Sequence, residues 1–259
     1  MVDRYINDDG NTDEITLSDL ADFSNIIIEK DSIITAEKNG KTKISPTEAA
    51  SSFITRYNIL ASTEGSLRAG NMLWIYNTKK GVFTPNGITI VKYIMETVGG
   101  DLSTTNVEHQ VINRLCTHRP FDPENFDPDP YLLCVKNGVI DLRNGNFMKH
   151  SPKYLMTSAL DIEYDPKAKC ANFMKFLEDI VEDPKDIGTI LDFITVMCIR
   201  KPYDIFLELI GTGANGKGRL LLFIRWFFGK DKISSLPLKQ LGKRFASNDL
   251  YGKWGLING

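Results

Sequence analysis

Apolar residues recur at helical spacing in three segments of the first half of the chain, and the first segment carries clear start signals. Ser45 precedes Pro46, and Glu48 follows three residues after the serine. A serine cap, a proline in the first turn and a glutamate three residues past the cap are typical of a helix start. The same spacing predicts two further helices over 87–100 and 106–119.

Short β-favouring runs lie between and after these helices. Residues 72–76 and 81–84 are joined by a polar turn, which predicts a hairpin. Residues 132–135, 139–142 and 147–148 are separated by Asn-Gly steps. Because Asn-Gly is a strong turn signal, these three runs predict a β-meander.

The remainder of the chain combines helical and strand patterns. An apolar helical pattern over 164–199 is interrupted at Asp183-Pro184, which predicts two helices in a hairpin. Residues 206–210 form a compact β-favouring run, and a glycine-rich loop follows at once. An apolar helical segment then continues to Gly229.

Composition places the chain among ordinary globular proteins. Its 259 residues are 42% apolar and 25% charged, and no apolar stretch approaches the roughly 18 residues of a membrane span. The acidic amino terminus lacks the pattern of a secretory signal, so we expect a soluble, cytoplasmic protein without a membrane partner. The four cysteines form no CxxC pair, and Cys116 with His118 makes too small a set for zinc, so no metal site is predicted.

Charge is distributed unevenly along the chain. Residues 196–259 hold 11 lysine and arginine residues against 4 acidic residues, although the whole chain has a net charge of −2. A basic region around a glycine-rich loop suits an anionic ligand, either a nucleotide or a nucleic-acid backbone. A solvated basic face is the alternative for any single residue.

The glycine-rich loop has the spacing of a phosphate-binding P-loop. The pattern G-x-x-x-x-G-K is met by Gly211, Gly216 and Lys217, in the predicted order of strand, loop and helix. Backbone N–H groups of such a loop surround phosphates, and the lysine reaches the terminal ones. The predicted nucleotide-binding residues are Gly211, Thr212, Gly213, Ala214, Asn215, Gly216, Lys217, Gly218 and Arg219.

The position after the P-loop lysine departs from the usual pattern. Ser or Thr normally places a hydroxyl on Mg²⁺ there, but this chain has Gly218 followed by Arg219. The P-loop motif as a whole predicts ATP as the cofactor. The missing hydroxyl makes Mg²⁺ the predicted cofactor with the least support. Arg219 either contacts a phosphate or projects into solvent, and the sequence leaves both open.

A second strand of the nucleotide-binding domain is predicted to begin at 254–258. In P-loop ATPases this strand ends in an acidic residue that holds Mg²⁺ through water. The chain reaches Gly259 before any carboxylate appears. We therefore expect an incomplete domain that does not hydrolyse ATP efficiently by itself.

Three blocks resemble the primase-helicases of viruses, phages and plasmids, the poxvirus-type NTPase group of superfamily three helicases. They are KNGVIDLRNGNFMKHSP, FMKFLEDI with the helix after it, and LIGTGANGKGRLLLFIRWFFG. The resemblance covers roughly 73–259. It implies ATP-driven translocation on single-stranded or replication-fork DNA by a ring, a hexamer in the full-length parent. It also suggests that Lys239, Lys243 and Arg244 face DNA or phosphate.

Together these observations predict an α/β fold class with four regions. Residues 1–43 are expected to be a partly disordered, acidic and polar terminus, and 44–130 an α+β helicase-associated domain. Residues 131–203 hold the meander and helical hairpin, and 204–259 begin an AAA+-like P-loop ATPase domain.

Three functions remain open at this point. The first is the amino-terminal part of a replicative primase-helicase that binds nucleotide and DNA and assists ring assembly. The second is a truncated, non-catalytic DNA-binding or regulatory protein with a relic P-loop, which the missing metal hydroxyl favours. The third is a small-molecule kinase, although the roughly 200 residues ahead of the loop argue against it.

Overall fold

The computed structural model describes residues 34–36, 42–62, 73–118, 120–201, 203–213, 215–243, 249–250 and 253–258. Helices and strands mix along the chain in an α+β arrangement, which confirms that part of the predicted fold class. The chain forms two compact units: Met1–Pro128 with Ser151–Ser158, and Asp129–His150 with Ala159–Gly259. No helix among the described residues is long and apolar enough to cross a membrane.

The first unit contains three helices and two sheets within its described residues. Its elements are β1 (Ile34–Ala36), β2 (Thr42–Ile44), α1 (Pro46–Arg56), β3 (Ile59–Ser62), β4 (Leu73–Asn77), β5 (Val82–Thr84), α2 (Gly87–Gly99), α3 (Thr105–His118) and β6 (Pro120–Phe121). Strands β1 and β2 pair antiparallel. The larger sheet has the order β5-β4-β3-β6, in which only β3 and β6 run parallel.

Side chains that alternate along β3 and β4 contribute to two apolar clusters, one on each face of the sheet. Ile59 and Ile75 belong to the main core cluster, which includes residues from α1, α2 and α3. Leu60 and Tyr76 point to the opposite face, where a second cluster is dominated by aromatic rings. Because successive side chains of a strand face opposite sides, a sheet covered on both faces needs apolar residues at every position.

The helix α1 starts as predicted, with the Ser45 hydroxyl accepting a hydrogen bond from the Glu48 amide.

Hydrogen bonds of Asp127 hold the segment 151–158 in the first unit. Asp127 and Leu155 both have positive φ, at 50° and 52°, and the Asp127 amide donates to the Leu155 carbonyl over 2.9 Å. The Asp127 carboxylate accepts from the amide and the hydroxyl of Thr157. Left-handed non-glycine residues cost about 1–3 kcal/mol each. Two hydrogen bonds to the half-buried Asp127 carboxylate and one between the two backbones offset that cost.

The second unit combines a three-stranded sheet with three helices and a short parallel strand pair. Its elements are β7 (Leu132–Val135), β8 (Gly138–Asp141), β9 (Asn146–Met148), α4 (Ala171–Ile180), α5 (Pro184–Cys198), α6 (Lys217–Phe228), β10 (Ile233–Ser234) and β11 (Gly255–Leu256). The antiparallel order β7-β8-β9 confirms the predicted meander. Asp183 caps α5 by accepting from the Lys185 amide, which confirms the predicted helix break.

One core holds the second unit together. Leu177 of α4, Ile190 of α5 and Phe228 of α6 are buried in it, with Val135 from the meander and Ile233 from β10. On α6 the buried residues lie at 220, 224 and 228, one helical turn apart, as an amphipathic helix requires. This core fixes the helix that follows the glycine-rich loop.

Several structural features differ from the sequence-based predictions. Of the stretch expected to be a partly disordered terminus, 34–36 and 42–43 lie in strands and the remainder lies outside the described residues, so that expectation stays a prediction. Strand β3, central in its sheet, was not predicted, since four residues after a helix carry no periodic signal. The structure keeps 159–259 in one unit, and the four-region boundaries, including that at 203/204, stay predictions.

The predicted strand over 206–210 is wrong for the described structure, since these residues have no assigned secondary structure. Leu207 and Leu209 face the core, while Phe206 and Ile210 are each 86% exposed, so side chains still alternate. A strand requires a ladder partner as well as alternation. Within the described residues, β10 pairs with β11 and none pairs with 206–210.

Candidate phosphate-binding site

The glycine-rich loop is closed by its own lysine. Lys217 Nζ donates to the Gly211 carbonyl over 3.0 Å and to Asn215 Oδ1 over 2.7 Å. A Cβ on Gly211 would lie 2.1 Å from Asn215 Nδ2, so a larger residue there would displace the Asn215 side chain from this closure. The first and last residues of the predicted motif therefore meet, with the ammonium group lying across the loop.

Two glycines set the backbone path of the loop. Gly213 has φ +98° and Gly216 has φ +84°, both in the left-handed region that glycine adopts without strain. At Gly216 a Cβ would also lie 2.5 Å from Ile180 Cγ2 of α4. Close packing and backbone conformation thus require glycine at the same position. Ala214 lies outside the described residues.

Helix α6 begins at Lys217, directly after the loop. Its N-cap residue is Gly216, which has no side chain to accept a hydrogen bond from the first amides. These amides carry the positive end of the helix dipole, and an anion is the partner that they favour. The geometry can therefore receive a phosphate group.

A cleft of about 640 Å³ opens beside the start of α6. Its lining includes Gly218, Arg219 and Arg225 from the helix, with Ser235 after β10 and Asn258 after β11. The strand pair confirms a strand within the predicted 254–258 stretch, at Gly255 and Leu256, which lie in parallel register with Ile233 and Ser234. Both strands thus deliver their carboxyl ends to the cleft, an arrangement that suits ligands in α/β sheets.

A larger cavity of about 1330 Å³ shares Gly218 and Asn258 with this cleft. Lys217 lines this larger cavity and is not among the lining residues of the cleft. The cavity walls are mainly apolar but also carry charged side chains, among them Glu208. The loop lysine and Arg219 therefore line different cavities beside the start of α6.

Gly218 and Arg219 occupy the positions that departed from the P-loop pattern. A Cβ on Gly218 would have no heavy atom within 4 Å, so packing does not demand glycine there. Arg219 is exposed on the rim of the cleft, and its side chain has no hydrogen bond or ion pair with any other described residue. The residue after Lys217 therefore offers no hydroxyl, and the next side chain is the Arg219 guanidinium on the rim of the cleft.

Two of the three predicted DNA-contacting residues, Lys239 and Lys243, lie in an exposed turn. Lys239 belongs to the 3-10 helix Leu238–Gln240, and the Lys243 amide donates to the Gln240 carbonyl. Both lysine side chains are exposed and make no ion pair within the described part of the chain. Arg244 lies outside that part. Their role in DNA binding stays a prediction.

Sequence reasoning missed the three polar residues that complete the lining of the cleft: Arg225, Ser235 and Asn258. Arg225 was detectable, because it follows Gly218 by seven residues and so shares its helix face. Ser235 and Asn258 come from chain segments 23 residues apart in sequence. Only the pairing of β10 with β11 brings them to one edge.

Comparison with known proteins gives two findings. Residues 60–182 match the protein family described as D5 N terminal like. A protein of Acanthamoeba polyphaga mimivirus whose name reads "putative helicase" is 28% identical over 171 residues. That alignment covers 63% of this chain and 17% of the mimivirus protein.

These findings confirm the resemblance to viral primase-helicases, since the matched family and the mimivirus protein are both of that kind. The chain spans about a sixth of the length of the mimivirus protein. The family match ends before the P-loop at 211–217. The evidence for nucleotide binding therefore comes from the loop itself.

Proposed function

We propose that this chain binds a nucleoside triphosphate, ATP in the first instance, through the P-loop at 211–217. One observation carries the proposal: Lys217 spans the loop to Gly211 and Asn215 at the uncapped start of α6. The Lys217 ammonium group, the amides of the first turn of α6 and the positive end of the helix dipole therefore lie close together. Each of them favours the negative charge of a phosphate.

We further propose that the chain serves in a viral or mobile-element DNA helicase or primase-helicase. The relation to a viral helicase supports this setting. DNA engagement through the basic turn at Lys239 and Lys243, and assembly into a ring, belong to the same proposal. The chain spans 17% of the mimivirus relative, so translocation is assigned to a parent protein.

Replacement of Lys217 by alanine tests nucleotide binding. We expect Lys217→Ala to remove measurable ATP affinity in isothermal titration calorimetry, because the only side-chain cation bonded across the described loop is lost. Lys230→Ala is the matched control, since Lys230 is an exposed lysine beyond the opposite end of α6. Twelve helical residues separate the two ends, about 18 Å. Unchanged ATP affinity in Lys217→Ala would refute the assignment.

A second candidate function is nucleotide-dependent regulation without turnover. The observation that favours it is the replacement of the usual hydroxyl by Gly218 and the presence of two arginines in the cleft. Phosphate release from ATP separates the two candidates. Steady turnover that Lys217→Ala abolishes supports the motor, whereas ATP binding without turnover supports the regulator.

A further inference from the structure

Helix α6 presents two large apolar side chains to solvent. Leu222 is 65% exposed and Trp226 is 69% exposed, whereas the opposite side of the helix is buried in the core of the second unit. Arg219, Leu222 and Trp226 are three and four residues apart, so they lie along one face, which we call the outward face of α6. Neighbouring exposed apolar side chains on a helix whose other side is already buried indicate a contact surface.

The arginine-lined cleft opens along the same face. Arg219 and Leu222 line it together with Arg225, and Ser235 and Asn258 belong to its polar lining. Neither guanidinium has a hydrogen bond or an ion pair with any other residue that the structure describes. The P-loop lysine lines the larger cavity instead. The cleft is therefore a separate basic site beside an exposed indole.

This combination of groups matches the chemistry of single-stranded DNA. Guanidinium, hydroxyl and amide groups bind the phosphate backbone, and an exposed indole stacks on an unpaired base of any type. A duplex offers phosphates but keeps its bases inside the stack, so the tryptophan favours a single strand.

Charge selects DNA over an apolar protein partner for this surface. Residues 196–259 hold 11 lysine and arginine residues against 4 acidic residues, and such a field attracts a polyanion. An apolar helix of another protein would cover Leu222 and Trp226, but it would leave the two guanidinium groups of the cleft without a negative partner. A nucleic-acid strand satisfies both kinds of group at once.

We propose that the outward face of α6 and the arginine-lined cleft form a binding site for single-stranded DNA. Arg219 and Arg225 contact phosphates, and Trp226 stacks on a base. The site is distinct from the basic turn at Lys239 and Lys243, to which the proposed function assigns DNA engagement. The inference rests on the proposed setting of the chain in a DNA helicase, and it gives Arg219 a role outside the nucleotide site.

The test is titration of fluorescein-labelled oligo-dT of about 16 nucleotides, followed by fluorescence anisotropy over a range of salt concentrations. Trp226→Ala is expected to weaken binding by about fivefold or more, because one stacking contact is lost, without changing the salt dependence. Arg219→Gln with Arg225→Gln is expected to reduce the slope of log affinity against log salt by about 1.4. The control Lys167→Gln with Lys185→Gln removes the same charge at exposed positions outside the cleft, and it is expected to leave that slope unchanged.

Trp226→Phe separates base stacking from any effect on folding. Phenylalanine keeps an aromatic face, so this variant is expected to bind oligo-dT within about threefold of the unsubstituted chain. Stacking on a base quenches indole fluorescence, and the quenching that oligo-dT causes is expected to be lost in Trp226→Phe. Quenching that persists in this variant comes from Trp74 or Trp254 and contradicts the proposed contact.

The outcomes that overturn the inference differ from those that overturn the proposed function. If Lys239→Gln with Lys243→Gln abolishes oligo-dT binding while Trp226→Ala and the double arginine variant bind as before, the proposed function stands and this site does not exist. An equal loss of oligo-dT and duplex binding in Trp226→Ala contradicts base stacking. Absence of oligo-dT binding by the unsubstituted chain refutes both. Thermal melts, expected to be unchanged because Arg219 and Trp226 are exposed, identify a folding defect.

Discussion

Alanine at Gly216 should both destabilise the second unit and disturb the phosphate site. The residue has φ +84°, and the left-handed region costs an L-residue about 1–2 kcal/mol. Its new Cβ would lie 2.5 Å from Ile180 Cγ2, and overpacking of this kind typically costs about 1–3 kcal/mol. The two terms together predict a loss of about 2–5 kcal/mol, a large share of the stability of a typical domain.

The two contributions can be separated by substitution of Ile180. Leucine has nearly the same volume as isoleucine but no methyl branch at Cβ, so Ile180→Leu removes Cγ2 at little cost of its own. In that background Gly216→Ala should retain only the cost of its backbone conformation. Gly188→Ala is the matched control, because Gly188 is an exposed position inside α5 with open space around it. It should stabilise the protein by about 0.5–1 kcal/mol.

Urea unfolding followed by tryptophan fluorescence measures these differences, with the phosphate site monitored by ATP titration. Trp226 and Trp254 both lie in the second unit and report on it. Gly216→Ala should shift the midpoint to lower urea and weaken ATP binding. Unfolding midpoints that coincide for Gly216→Ala and the unsubstituted chain would refute the reasoning. If Gly216→Ala lowers the free energy of unfolding equally with and without Ile180→Leu, the steric contribution is contradicted, but the backbone contribution is not.

Two further predictions concern charge. Hydrogen bonds from Arg143 hold the pKa of Asp141 below its usual value of 3.8, so this carboxylate contributes stability above that pH, which is lost as the pH falls through the lowered pKa. Arg143→Met should raise the Asp141 pKa in a carbon-13 NMR titration. The control Lys136→Met, which breaks an exposed ion pair elsewhere, should leave the Asp141 pKa unchanged. Equal Asp141 pKa values in the two variants would contradict Arg143 as the cause. Binding of single-stranded DNA should weaken as salt rises. Lys239→Gln together with Lys243→Gln should reduce the slope of log affinity against log salt by about 1.4 if both side chains contact phosphates. A salt-independent affinity would exclude the basic turn as the contact.

Local signals in the sequence accounted for most helices and hairpins. Ser45 caps α1, as the capping pattern predicted, and α5 begins directly after Asp183, where the helix break was predicted. The meander also formed where Asn-Gly steps indicated turns. These features depend on hydrogen bonds between residues two to four apart. A local pattern is therefore sufficient to predict them.

The strand over 206–210 shows where local reasoning fails. Its side chains alternate between half-buried and exposed, yet it forms no ladder with any described residue, because a ladder depends on a partner that the local sequence does not specify. The same limit applies to β3, whose role as a central strand depends on β4 and β6 at both of its edges.

For the candidate site, the sequence by itself determined the loop and its unusual Gly218-Arg219 step, because the motif is contiguous and its glycines are required by backbone conformation. Tertiary structure decided what surrounds that loop. Pairing of β10 with β11 brings Ser235 and Asn258 to the helix start, and the packing of α4 places Ile180 against Gly216. These neighbours come from distant parts of the chain, and only the burial of a shared core brings them together.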